Sequence, residues 1–291
     1  MESFDIVMIG HVSQDIIVFR SIEEHLLGGA VVYSSAAASR SGASVCVVTK
    51  ATADEMISRR FFQRIGVEAR MLPSKSNTSI RNEYASEDRE RRTVTLITRA
   101  EPFRLDDVSE LTARIYHLAG LFVGEIPDEL IEPLAIRGEI ALDVQGVVRR
   151  ENNGRLESRD WSAKSHMLPL VTYLKADAAE SQIVTGVDDR DRAARILHDL
   201  GAREVMITHN EEVIVYDGTR THRAPFTPEN LSGRTGRGDT CFAAYLAWRF
   251  DHTIEESVAY AAALTSMKME TAGPFAGSIE AVLDRMHGSS V

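Results

Sequence analysis

Six short apolar runs rich in β-branched residues recur along the chain: "DIVMIG" (5–10), "SVCVVT" (44–49), "IYHLAG" (115–120), "EIALDV" (139–144), "VTYLKA" (171–176) and "EVMITH" (204–209). A run that is apolar on both alternating faces has no side to give to water, so it belongs between two layers of helix in a parallel sheet. Helical stretches separate most of the runs. "DEMISRRFFQRIG" opens on Asp54 as a cap and closes on Gly66, and "DRDRAARILHDLG" closes on Gly201. Strand–helix alternation of this kind predicts an α/β fold, a doubly wound, mostly parallel sheet flanked by helices.

Two segments depart from this rhythm. Residues 11–22 ("HVSQDIIVFRSI") and 78–100 ("TSIRNEYASEDRERRTVTLITRA") alternate apolar with polar positions, the second as two strands around the charged turn "SEDRER". They predict a small, half-exposed antiparallel sheet at the edge of the main domain, placed to act as a lid. After Gly238 the pattern is helical over 238–251, 253–270 and 278–287. No linker or internal repeat divides the chain, so residues 1–291 read as one domain with its lid.

Forty-three acidic against 33 basic residues give a formal net charge of −10. That balance argues against nucleic acid or an anionic membrane as the main partner, while leaving room for a small anion held by local positive charge. Cys46 and Cys241 sit in apolar contexts without metal-ligand spacing, as buried thiols in a reducing compartment would. The N-terminus has no basic leader and no stretch approaches membrane-spanning length, so the expected location is the cytoplasm. His11, His117, His166, His198, His209 and His222 are scattered, and no zinc site is expected.

The densest chemical signal is "GRTGRGDT" (233–240), directly ahead of the apolar run "CFAAYLAW". Gly236 and Gly238 let the backbone turn so that successive N–H groups face one concavity, and the following helix adds its positive end. Gly236, Arg237 and Gly238 would then form an anion hole for a phosphoryl group. Asp239, at the first helical position, would stand beside it as a general base for a hydroxyl. The local string alone fits equally well an ordinary carboxylate at a helix N-terminus.

"TGRGDTCFAAYLAW" resembles the C-terminal signature D-T-x-G-A-G-D-x-F of the ribokinase-like, PfkB-type carbohydrate kinases, with Thr235, Gly236, Gly238, Asp239 and Phe242 read as matches. Gly233 stands where the family's first Asp is expected and Arg237 where Ala is usual, and the change at 233 bears on a monovalent-cation site that some members build near this loop. "GHVSQDIIV" resembles the family's first strand and substrate loop, which gives Asp15 a role in binding acceptor hydroxyls. "GGAVVYSSAAASRSGASV" resembles the N-terminal signature, with Gly28 and Gly29 approaching the acceptor and Tyr33 where Asn is common. "YLKADAAE" stands where the family carries N-x-x-E, so Asp177 and Glu180 would organise Mg²⁺ and its waters; the same spacing also makes a helix capping box without a metal. "VMITHNEEVIVYDG" resembles the nucleotide-site strand and hairpin, with Thr208 matching and Asn210 in place of Gly in a left-handed turn.

The resemblance spans essentially the whole chain and implies an ATP- and Mg²⁺-dependent kinase acting on a small polyol, sugar or nucleoside. Thr208 and Thr235 are its expected nucleotide-side residues, and pairing into a homodimer through the lid strands is implied as well. "LDVQGVVR" (142–149), "YLKADAAE" and "ETAGPF" (270–275) look most similar to myo-inositol kinases. A nucleoside kinase would need a stacking aromatic in the lid, for which Tyr84 is available. A non-catalytic sensing relative would have no need to keep Asp239.

Overall fold

The computed structural model describes residues 2–20, 22–84 and 92–288. The "SEDRER" turn lies outside them. Fifteen strands are described: β1 Glu2–Ile9, β2 Ser13–Phe19, β3 Ile22–Gly28, β4 Val45–Ala51, β5 Glu68–Pro73, β6 Thr78–Tyr84, β7 Arg92–Thr98, β8 Leu111–Leu118, β9 Glu139–Asp143, β10 Arg149–Asn152, β11 Arg155–Ser158, β12 Tyr173–Asp177, β13 Glu204–Thr208, β14 Glu212–Tyr216 and β15 Thr221–Pro225. The helices are α1 Ala30–Arg40, α2 Ile57–Ile65, α3 Ile131–Ala135, α4 Gln145–Val148, α5 Lys164–Met167, α6 Ala178–Thr185, α7 Arg190–Asp199, α8 Arg237–Trp248, α9 Ile254–Met269 and α10 Ile279–Gly288. No helix among the described residues is long and apolar enough to cross a membrane.

All six apolar runs enter one nine-stranded sheet of order β15-β14-β13-β12-β9-β8-β1-β4-β5. It is parallel from β13 through to β5, and β14 and β15 add an antiparallel edge. Alternation along the strands explains the three layers. In β1, Ile6 and Met8 face a core shared with α1, α2, α8 and α9, whereas Val7 and Ile9 face one shared with α3, α6 and α7. Strand order reverses at β1, where the chain adds β4 and β5 on one side and then returns to place β8 on the other. Such a reversal opens a crevice at the carboxyl ends of the strands.

Helix ends follow local chemistry. Gly66 closes α2 in a left-handed conformation. Asp54, expected as the cap of α2, is not the capping group; the buried Glu55 carboxylate accepts from the N–H groups of Ile57 and Ser58 at 2.9 and 3.0 Å. The longer side chain reaches the first turn while Asp54 stays in the preceding turn.

The second sheet is larger than residues 11–22 and 78–100 and has the order β10-β11-β7-β6-β2-β3. Residues 11–22 are not one strand: β2 ends at Phe19, Arg20 takes a φ of 56°, and β3 runs back alongside. Nor is the sheet wholly antiparallel, because β2 and β6 pair in parallel. The chain crosses the main sheet between them, through α1, β4, α2 and β5, and re-enters in the same direction.

Candidate active site

Three neighbouring strands end together at the carboxyl edge of the main sheet, on Asp143 (β9), Asp177 (β12) and Thr208 (β13). Lys175, two residues before Asp177, projects to the same face of the strand. It is the register partner of Asp143, and its ammonium lies 3.1 and 3.0 Å from that carboxylate and 3.8 Å from Glu180. Burial pulls the Lys175 ammonium down, but Asp143, Glu180, Asp239 and Asp177 hold it well above the usual lysine range. It lies among these carboxylates at the floor of the crevice. Asp143 and Lys175 lie within "LDVQGVVR" and "YLKADAAE", but the motifs give neither a role; the pairing of β9 with β12 brings them together. The Thr208 hydroxyl is buried at the same edge and has no hydrogen-bond partner among the described residues.

The glycine-rich turn 233–238 closes over this floor. Gly236 is the N-cap of α8 with φ 77°, and an added Cβ there would lie 2.2 Å from the Tyr33 ring. Both the left-handed backbone and the close aromatic demand glycine. Gly238 stands over Lys175, whose ammonium would be 3.1 Å from an added Cβ. Asp239 is the third residue of α8, not the first, because the helix already begins at Arg237. Burial pushes its carboxyl up to about 6; Lys175 opposes the shift and Asp143 adds to it. The Arg237 guanidinium lies along the cleft and donates to Asn210 at 2.8 Å. Asn210 is not left-handed, since the only non-glycine residues with positive φ among those described are Arg20 and Asn153. Thr235 is exposed at the cleft rim. Counted from Asp239, the signature's Thr and final Phe fall on Arg234 and Cys241, so Thr235 and Phe242 are neighbours of those positions, not matches.

The opposite wall comes from the β3–α1 turn and the second sheet. Gly28 leaves no room for a side chain because an added Cβ would lie 2.4 Å from the Asp15 carboxylate. Gly29 turns with φ 100° into α1. Asp15 accepts from the Ser13 hydroxyl at 2.6 Å. Asn82 and Tyr84 of β6 line the same wall, with Tyr33 beside them. The cleft holds about 720 Å³ and brings together Asp15, Gly29, Asp177, Glu180, Thr208, Thr235, Gly236, Arg237, Gly238 and Asp239. Gly28 is beneath the wall and does not line it. In a chain of net charge −10, four cationic side chains (Arg149, Lys175, Arg234 and Arg237) meet here.

Asp177 and Glu180 form the capping box: the Asp177 N–H donates to Glu180 at 2.8 Å and the Glu180 N–H to Asp177 at 2.7 Å. One oxygen of each carboxylate is used, and both residues still line the cleft. No group of three or more His, Cys, Asp or Glu among the described residues could hold an ion directly. This donor set fits a hydrated Mg²⁺ carried by substrate phosphates and touched through water, as hard carboxylate oxygens do.

The pfkB family carbohydrate kinase model matches residues 5–281. A pyrophosphate-dependent kinase of the ribokinase family, solved as a sulfate complex, is 36% identical with TM-score 0.89, covering 96% of this chain and 99% of its own. A structure of such a kinase with a pyrophosphate analogue and myo-inositol gives 36% identity and TM-score 0.88 over the same shares. Cytidine kinase of Thermococcus kodakarensis is 29% identical over 257 residues, 84% of this chain and 87% of that protein. With a match spanning both walls of the cleft and the whole parallel sheet, the chain belongs to the pfkB family of carbohydrate kinases.

Proposed function

We propose that this kinase transfers a phosphoryl group from pyrophosphate to a hydroxyl of a cyclic polyol of the myo-inositol type, with ATP as the poorer donor. The observation that carries the reading is that the buried Asp239 carboxyl, raised to about 6, lines one cleft with Arg149, Lys175, Arg234 and Arg237 and with the polar Asp15 and Asn82 of the second sheet. Asp15 accepts hydrogen bonds from the polyol and Asn82 orients it. Asp239 takes the proton of the attacking hydroxyl, and the N–H groups of Gly236, Arg237 and Gly238 meet the charge on the phosphoryl oxygens. Lys175, Arg149 and Arg237 neutralise the donor, and Thr208 donates to it. The hydroxyl oxygen bonds to phosphorus, the bridging P–O bond breaks, and orthophosphate leaves. Mg²⁺, next to Asp177 and Glu180, would screen the donor phosphates.

Pyrophosphate is favoured over ATP by the full-length likeness to pyrophosphate-dependent kinases and by the mouth of the donor side. There the hairpin that resembles a nucleotide site is occupied by Arg234 and Arg237, both bonded to Asn210. Guanidiniums suit phosphate oxygens better than a base edge that seeks apolar contact. A nucleoside acceptor is the second reading, favoured by the likeness to a cytidine kinase and by Tyr33 and Tyr84 in the acceptor wall.

Donor and acceptor are separated by ³¹P NMR of reactions pairing pyrophosphate or ATP with myo-inositol, ribose and cytidine. The expected products are a phosphate monoester of myo-inositol and orthophosphate, formed fastest from pyrophosphate. A higher kcat/KM for ATP with cytidine or ribose would overturn the reading.

A further inference from the structure

Behind the anion-binding turn lies a charge that the transfer chemistry above does not use. Lys268, near the end of α9, is fully buried. Its ammonium donates to the backbone carbonyls of Gly233 and Thr235, not to a carboxylate. It also stands 5.2 Å from the centroid of the Tyr33 ring, the ring that packs on Gly236. The Gly233 N–H returns a bond to the Met269 carbonyl at 2.8 Å, so the loop is tied to the end of α9 in both directions. No side chain fits at 233, because an added Cβ would lie 1.7 Å from the Thr271 carbonyl oxygen. The loop therefore has no carboxylate of its own at that point, and a buried ammonium whose hydrogen bonds go to carbonyl dipoles, helped by the Tyr33 ring and the field of Asp239, is costly to keep.

What it does follows from peptide geometry. A trans peptide is planar with its C=O and N–H pointing opposite ways. Drawing the Thr235 carbonyl towards Lys268 turns the Gly236 N–H away from it, into the cleft that Gly236 lines. Drawing in the Gly233 carbonyl does the same for the Arg234 N–H. We propose that Lys268 is a positioning residue for phosphoryl transfer, a tethered internal cation that aims the N–H groups of the 233–236 loop at the donor. The inference rests on the phosphoryl-transfer reading of this cleft.

The test uses Lys268→Ala, with ethylammonium or K⁺ supplied against choline at constant ionic strength. Removing the aim of the hole is expected to lower kcat by roughly 10²-fold, as losing an oxyanion donor does, with donor KM raised and acceptor KM unchanged. Ethylammonium or K⁺ should restore most of the loss in Lys268→Ala, neither should restore Lys268→Met, whose side chain fills the space, and neither should accelerate the wild type. A Lys268→Ala rate close to wild type, a folded Lys268→Ala that no cation restores, or a wild type activated by K⁺ would each overturn the proposal. If Lys268→Ala does not fold, Lys268→Arg carries the test: raised donor KM with unchanged acceptor KM is expected, and the reverse contradicts. Sulfate and pyrophosphate binding followed by thermal shift reads the hole without turnover. Wild type should bind both, and Lys268→Ala should lose the shift and regain it with ethylammonium. A wild type that binds these anions but transfers nothing would sink the kinase reading, and with it the catalytic role of Lys268, while the anion shift would still report whether Lys268 aims the loop.

Discussion

On the proposed mechanism, Asp239 meets two demands with one side chain. A base for a hydroxyl works best with a pKa near the working pH, and a carboxylate beside a phosphate site must tolerate a neighbouring anion. Burial raises this carboxyl to about 6, and Lys175 beneath it keeps the ionised form accessible near neutrality. On that mechanism the base form is the active one, so kcat should fall as pH drops through about 6. A pH profile of kcat under saturating donor and acceptor checks this, and a rate unchanged down to pH 5 would contradict it. Gly236 carries a second residue-scale prediction. Alanine there meets both the left-handed backbone and the Tyr33 ring, so Gly236→Ala should cost roughly 1–3 kcal/mol of stability and most of the activity. An alanine variant with wild-type melting and turnover would mean that the turn is free to move.

At the scale of elements, the α6 capping box caps its helix and, on the proposed mechanism, also faces Mg²⁺, and one substitution separates the two. Asparagine caps a helix about as well as aspartate, so Asp177→Asn should keep the melting temperature within about 3 °C. It removes a charge from the cleft, so the Mg²⁺ concentration for half-maximal rate should rise several-fold. Unchanged Mg²⁺ dependence would make the box purely structural. The same scale shows what the sequence can express. Six strands of the main sheet were legible because both faces are buried, whereas β5 and β15 at its two edges, partly exposed, were not; α8, α9 and α10 were legible because their apolar patterns are uninterrupted. β3 was not, since "IEEHLLG" exposes nearly every side chain and is held by backbone pairing with β2. β10 and β11 are four residues each, too short to show a period. In the site, Asp15, Thr208 and Asp239 announce themselves in motifs, whereas Asp143 and Lys175 lie inside apolar strands. Their chemistry appears only when β9 and β12 become neighbours.

For the whole molecule, the carboxyl ends of β9, β12 and β13 form the floor of the cleft and the second sheet forms the wall across from it; on the proposed mechanism the floor holds the donor and the wall the acceptor. We read that sheet as the lid that shuts water, a competing acceptor, out of the reaction. Asn82, buried on β6 and facing the cleft, tests this division. Asn82→Ala should raise acceptor KM and leave donor KM alone, as steady-state kinetics in both substrates would show; an effect on donor KM alone would assign the sheet to the other substrate. The central claim is that one carboxylate, held between these two walls, moves the proton of the attacking hydroxyl. Its most direct test is single-turnover transfer by Asp239→Asn, which preserves size and helix position while removing the base. The account predicts a fall of roughly 10²–10⁴-fold in the transfer rate, with donor binding equal to or slightly tighter than wild type. A folded Asp239→Asn enzyme that transfers phosphate at the wild-type rate would contradict it.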